Sequence, residues 1–281
     1  MENEPQSEKS KKSVASSADN WEAHWSQLGS ITEENPADRY RYDLVIDQLQ
    51  ISGDGAGTRI LDIGCGEGTL LAAIAARFSK ASIKGFDTSV VGVERASKKT
   101  PRAQIIVFDL FKDDVEKVVG LKGWATHAVC SEVIEHLDEP VQFLKQTKSL
   151  LATDGVFVAT VPGGPLSEFH RYMGHRTHFT EAAIRSCFTS AGFAVESVLR
   201  AGFPFFNIYR IGTQLRGKKL IDDLGLNQSD ASLSLPASAQ KRPRNLRIAL
   251  GILKPVFKLN LRNSRWGWQL VVRSRIQESI I

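Results

Sequence analysis

Sulfur is scarce in this chain of 281 residues, which has three cysteines and two methionines. Cys65, Cys130 and Cys187 form neither a metal-binding spacing nor a disulfide framework, which predicts a reducing, cytoplasmic setting. No apolar run approaches the ~18 residues of a membrane-spanning helix, so the protein is expected to be soluble or peripheral at a membrane. The first twenty residues have almost no apolar content and no apolar stretch of the kind a signal peptide carries. A disordered tail is predicted over residues 1–20, ahead of one folded domain over 21–281. Acidic residues are rare towards the end. Residues 201–281 hold 14 Lys and Arg against 4 Asp and Glu, whereas residues 1–200 hold 22 against 27. A net of +10 on the last part predicts a surface for an anionic partner. With 42% hydrophobic residues the chain can bury one sizeable core.

Arg59-Ile-Leu-Asp-Ile-Gly-Cys-Gly-Glu-Gly68 carries the most information. It reads as a buried strand, Arg59 to Ile63, a glycine turn, and a helix from Thr69 to Phe78. Gly64, Gly66 and Gly68 let the backbone turn sharply and approach a ligand. A dinucleotide fingerprint needs a third glycine at position 69, where Thr69 stands. Asp62 also argues against a pyrophosphate, which requires N–H donors, and favours a cationic or amine-bearing ligand. Further strands are predicted at Ala81–Asp87, Gln104–Phe108 and about Ala125–Cys130. A helix near Pro140–Leu151, an Asp154-Gly155 turn and a strand Val156–Val161 follow. Strands Gly192–Leu199 and Gly267–Arg275 are predicted to close the chain.

These motifs, in this order, resemble the class I S-adenosylmethionine-dependent methyltransferases, and Ser131-Glu-Val-Ile-Glu-His-Leu137 resembles their small-molecule O-methyltransferase branch. The resemblance spans roughly residues 35–200 and the end of the chain. It implies an α/β, Rossmann-like, seven-stranded and mostly parallel sheet with an antiparallel terminal strand pair. It also implies S-adenosyl-L-methionine as cofactor, held by Asp62, Gly64, Gly66, Gly68 and Ser131. Asp87 would then accept from the ribose hydroxyls and Asp109 from the adenine amino group. An arginine shortly after Asn35-Pro36 would hold the cofactor carboxylate; Arg39 and Arg41 both qualify.

Removing a proton from an oxygen acceptor suits a histidine beyond the fourth strand, which makes His136 the expected catalytic base. Glu132, Glu135 and His136 stand at i, i+3 and i+4, and on one helical turn they would share a face. Divalent-metal ligation by these three is the alternative, with a further histidine from His175 or His178. His175, His178 and Phe203 are expected on the acceptor side. Residues 203–264, between the last two strands, are expected to form a basic cap or membrane-facing element that the core does not need to fold. The acceptor expected is a small or lipid-linked hydroxylated molecule (saccharide, quinone precursor or secondary metabolite), with an anionic membrane as a second partner and nucleic acid less favoured. The alternatives are a metal-dependent small-RNA 2′-O-methyltransferase and a non-catalytic binding subunit of the same fold.

Overall fold

The computed structural model describes residues 20–28, 35–118, 120–224 and 255–277. The tail predicted over 1–20, apart from Asn20, lies outside the described residues, as does the polar stretch 227–240. Helices α1 (Trp21–Leu28) and α2 (Pro36–Leu49) precede β1 (Arg59–Ile63), α3 (Thr69–Arg77), β2 (Ser82–Asp87), α4 (Val90–Lys99) and β3 (Gln104–Val107). There follow β4 (Ala125–Ser131), α5 (Pro140–Lys148), β5 (Leu151–Pro162), α6 (Glu168–Tyr172) and α7 (Glu181–Ser190). The last elements are β6 (Phe193–Ala201), α8 (Phe205–Leu224) and β7 (Gln269–Ile276).

Seven strands form one sheet in the order β3-β2-β1-β4-β5-β7-β6. The pairs from β3 through β5 are parallel, and β7 runs antiparallel to both β5 and β6. β1 is buried from Ile60 onward, as befits a central parallel strand covered on both faces. Two clusters of buried side chains lie on the two faces of the sheet, one including Phe157 and Phe188, the other Leu49, Leu71 and Phe206. Helix starts follow local chemistry. Asn35 Oδ1 accepts from Ala37 N–H before Pro36, and Thr180 Oγ1 accepts from Ala183 N–H at α7. The strand order reverses about β1, whose neighbours are β2 and β4, so a crevice opens at the carboxyl ends of these three strands.

Two expectations change. Asp154-Gly155 does not separate a helix from a strand. It sits inside β5, where the pairing jumps from Ala125↔Leu151 to His127↔Val156. A Cβ on Gly155 would lie 2.9 Å from both Ala152 O and Leu151 Cβ, so the bulge is tight enough to need glycine. The segment joining β6 to β7 also belongs partly to the core. Phe206 and Phe257 are buried against Tyr40, and Asn260 Oδ1 accepts from the N–H groups of Phe205 and Phe206 at 2.8 and 3.0 Å. Removing all of 203–264 would therefore strip side chains from one face of the sheet, contrary to the expectation of a dispensable cap.

Candidate active site

A cleft of about 1040 Å³ opens at the carboxyl ends of β1, β2 and β4. Its walls include Asp62, Gly64, Gly66, Asp87, Asp109 and Ser131, which the sequence reading had singled out. The loop after β1 folds over the end of β2: Gly64 N–H and Cys65 N–H both donate to Phe86 O at 2.9 Å. Gly66 N–H donates to Asp87 Oδ2 at 2.8 Å, and Ser89 N–H to Asp87 Oδ1 at 2.9 Å. Gly64 has φ +71, and a Cβ there would approach Val133 Cγ2 to 2.7 Å, so only glycine is free of strain. Gly68 does not line the cleft. It begins α3 in the left-handed conformation and lets α3 pack on Ala96 of α4.

Asp62 is 2% exposed, and among the described residues its Oδ2 has no hydrogen-bond partner. Burial, reinforced by the nearby Asp87 carboxylate, pushes its pKa up to about 8. An orphaned carboxyl at the wall of a glycine-cradled cleft fits an amine-bearing ligand, as expected of the amino group of S-adenosylmethionine. Asp87 is raised as well, first by burial. Asp109 Oδ1 accepts from Phe111 N–H at 3.0 Å, while Oδ2 pairs with Lys112 at 2.8 Å. Ser131 Oγ lies 2.9 Å from Thr160 Oγ1.

Helix α1 covers this end of the cleft. Trp25 lies against Gly66 so closely that a Cβ there would overlap its ring, and Trp21 meets His136 edge-on at 4.7 Å. Glu22 accepts from Ser89 Oγ at 2.6 Å and from Val91 N–H at 3.2 Å, a carboxylate at the amino terminus of α4. Burial lowers the His24 pKa to about 4. Sequence reasoning missed that Trp21 and Trp25 stand over the ligand loop; their i, i+4 spacing was the available signal.

Of the two candidate arginines, Arg41 lines the cleft and Arg39 is exposed outside it. Arg41 pairs with Asp38 at 2.9 Å and with Glu132 at 3.7 Å. Glu132 and Glu135 do not share a helical face. Glu132 has φ +57, and only Ile134–His136 forms a single 3-10 turn. The Glu132 carboxylate accepts from Gln269 Nε2 at 2.9 Å and Thr160 Oγ1 at 3.1 Å, drawing strands β5 and β7 to the end of β4. Burial alone would raise its pKa, but Arg41 and these donors outweigh burial and hold it below the usual range. Glu135 is fully buried with neither oxygen hydrogen-bonded among the described residues, and burial followed by Glu132 drives its pKa well up. One ligating atom each from Glu135, His136 and His175 lies within 4.8 Å of the others. Of the ligands in the metal alternative, Glu132 is drawn away while Glu135, His136 and the further histidine, His175, come together; a carboxylate with two imidazoles suits a divalent transition metal.

The remaining histidines are ordered by hydrogen bonds. His178 Nδ1 lies 3.2 Å from Gly164 O and must donate to it, because a carbonyl only accepts. His178 Nε2 therefore accepts from His175 Nδ1–H at 3.1 Å, which leaves His175 Nε2 without a proton. Burial lowers His178 to about 4 and His175 further, so both are neutral at pH 7. Arg210 of α8 donates to His170 Nε2 at 3.1 Å, and burial followed by Arg210 lowers His170 to about 3. His136, His170 and His175 line the cleft, and His178 stands behind them. Phe203 does not reach it; its ring packs on Trp266 at 5.2 Å. Sequence reasoning missed Arg210, which comes from the segment between β6 and β7.

Residues 37–198 match a family described as a methyltransferase domain. The chain is 28% identical over 155 residues to a ubiquinone biosynthesis O-methyltransferase of Neisseria meningitidis serogroup C, a match covering 54% of this chain and 62% of that protein. It thus spans about three fifths of that relative's length. Its fold is similar, with TM-score 0.57 at 15% identity, to a chain of a complex containing the Haloferax volcanii Trm112 methyltransferase activator, over 92% of this chain and 98% of that one. It is also similar, with TM-score 0.53 at 16% identity, to Haemonchus contortus phosphoethanolamine N-methyltransferase 2 bound to S-adenosyl-L-methionine, over 85% of this chain and 52% of that one.

Proposed function

The chain belongs to the class I S-adenosylmethionine-dependent methyltransferases, and from that premise we propose that it O-methylates a small or lipid-linked hydroxylated acceptor, in the cytoplasm or at a membrane surface. The observation that carries the reading is His136, cleft-lining yet only 8% exposed, standing between the glycine-loop end and the cluster of His170 and His175. Bound S-adenosylmethionine supplies an electrophilic methyl group on a sulfonium. Asp62 and Arg41 suit the amino and carboxylate ends of its methionine part, Asp87 its ribose and Asp109 its adenine. Trp21 and Trp25 exclude water over the loop, which favours displacement of a positive leaving group by a less solvated oxygen. His136 takes the acceptor's proton as the hydroxyl becomes a nucleophile. His175, held as the Nδ1–H form by His178, offers its bare Nε2 to accept from a second hydroxyl or N–H of the acceptor. Acceptor positioning by Phe169, Met173 and Arg176 at the far end of the cleft supplies the rest.

A second reading is favoured by one observation, the Glu135, His136 and His175 set. A divalent ion held there would lower the pKa of an acceptor hydroxyl directly, as the small-RNA 2′-O-methyltransferase alternative requires. One experiment separates the readings. Purified protein is incubated with S-adenosylmethionine and saccharides, phenols or short RNAs, with and without EDTA, and methyl mass gain is recorded. Transfer to a phenol or saccharide that survives EDTA is expected. Transfer only to RNA, abolished by EDTA and restored by Mn²⁺, would replace the first reading with the second. Methyl gain on none of them, with cofactor bound, would favour the non-catalytic binding subunit.

A further inference from the structure

Large apolar side chains are exposed unevenly. Of the nine with substantial exposure among the described residues, six are Ile208, Ile211, Leu215, Leu259, Leu261 and Trp266. All six lie between β6 and β7. Ile208, Ile211 and Leu215 stand at i, i+3 and i+7 on α8 and form one stripe. The opposite face of α8 is turned inward: Phe206 and Asn207 are buried, and Gly217 lies directly against the Phe169 ring. The loop 259–266 abuts the start of α8. Phe203 bridges to Leu261, Phe203 packs on Trp266, and Asn207 Nδ2 donates to Trp266 O at 2.7 Å. The two apolar groups therefore belong to adjoining elements.

Basic side chains surround these residues. Arg216, Lys219, Lys258 and Arg265 are exposed, and the Arg265 guanidinium lies 4.6 Å over the Trp266 ring. On the same elements Asp222 is the one exposed acid among residues whose burial is described. The intervening sequence 225–254 adds five Lys and Arg against one Asp. Apolar residues projecting from a helix surface, edged by arginine, lysine and tryptophan, match the acyl–headgroup boundary of a bilayer. No described helix is long and apolar enough to cross one.

We propose that the outer stripe of α8 and the 259–266 loop dock this protein on an anionic lipid bilayer. The stripe would sink into the headgroup boundary while the cations meet lipid phosphates. The inner face of α8 reaches the cleft, since Arg210 donates to His170 at 3.1 Å. The bilayer would then lie about one helix diameter, ~10 Å, from the acceptor end. This deepens the lipid-linked branch of the proposed function, but the docking itself does not depend on which acceptor is methylated.

The test is co-sedimentation of the full chain with vesicles of phosphatidylcholine alone, or of equal parts phosphatidylcholine and phosphatidylglycerol. Binding to the anionic vesicles that weakens with salt is expected. A variant combining Ile211→Ser and Leu215→Ser should lose at least about tenfold in affinity, with its melting temperature and S-adenosylhomocysteine affinity kept. Arg265→Glu should weaken binding several-fold. No sedimentation with anionic vesicles, or undiminished binding by the double variant, would overturn the proposal. So would a wild-type dimer in light scattering that the double variant dissolves, because the stripe would then be covered by a second copy. Vesicle binding without methylation of any lipid-linked acceptor would leave the docking standing and remove that acceptor class.

Discussion

At the glycine-loop end of the cleft, the ligand-facing groups come from residues 62 to 109 in chain order, each placed by the end of a strand. At the histidine end they come from α2, the exit of β4, the α6–α7 connection and, through Arg210, the segment between β6 and β7. The first end relies on backbone N–H groups and short acids whose positions follow from the strands. The second depends on side chains that meet only when distant elements pack. Under the proposed function, cofactor recognition would therefore rest on local geometry, and acceptor chemistry on tertiary assembly.

The largest effect that tests this contrast is His136→Ala. Turnover should drop by about 10²–10⁴-fold, with S-adenosylhomocysteine affinity nearly unchanged by calorimetry. An equal loss of both would mean that the two ends do not act separately. Asp87→Ala should produce the reverse pattern. It removes the acceptor of Gly66 N–H and Ser89 N–H together with the expected ribose partner. Cofactor binding should weaken by about 1.5–3 kcal/mol. Unchanged calorimetric affinity would sink the cofactor assignment of the glycine-loop end.

A further effect concerns Asp62 without ligand. Its folded pKa, about 8, lies above the unfolded value. The folded state therefore keeps a proton that the unfolded state releases, and stability falls as pH rises from about 4 to about 8. The loss across that window should be on the order of 5 kcal/mol at most in chemical denaturation. Asp62→Asn should flatten the slope while weakening cofactor binding. A variant with an unaltered slope would show that the carboxyl is solvated in the ligand-free protein.

The glycine-loop end was legible because its rules are short in range. β1 falls where the apolar run does, and Asp87 and Asp109 end or follow strands. The Glu-x-x-Glu-His run misled because a helical period was assumed. The left-handed backbone at Glu132 turns its carboxylate towards Gln269, 137 positions away, and no spacing rule contains that partner. Arg39 and Arg41 could be told apart only once α2 was laid on the sheet. Phe203 failed for a similar reason: Trp266 and Leu261 hold it on the far side of α8.

The position of β7 has a consequence for how the molecule is made. Among the described strands β7 is synthesised last, yet it lies between β5 and β6. Sixty-seven residues separate β6 from it, so on a translating ribosome the two neighbouring edges stay unpaired for on the order of several seconds. Such edges invite pairing with other nascent chains. When β7 arrives it closes the sheet and delivers Gln269 to Glu132 and Arg273 to Glu196 in the same event. The histidine end of the cleft thus lacks its Gln269–Glu132 contact until β7 is inserted, which ties the assembly of the site to the arrival of that strand.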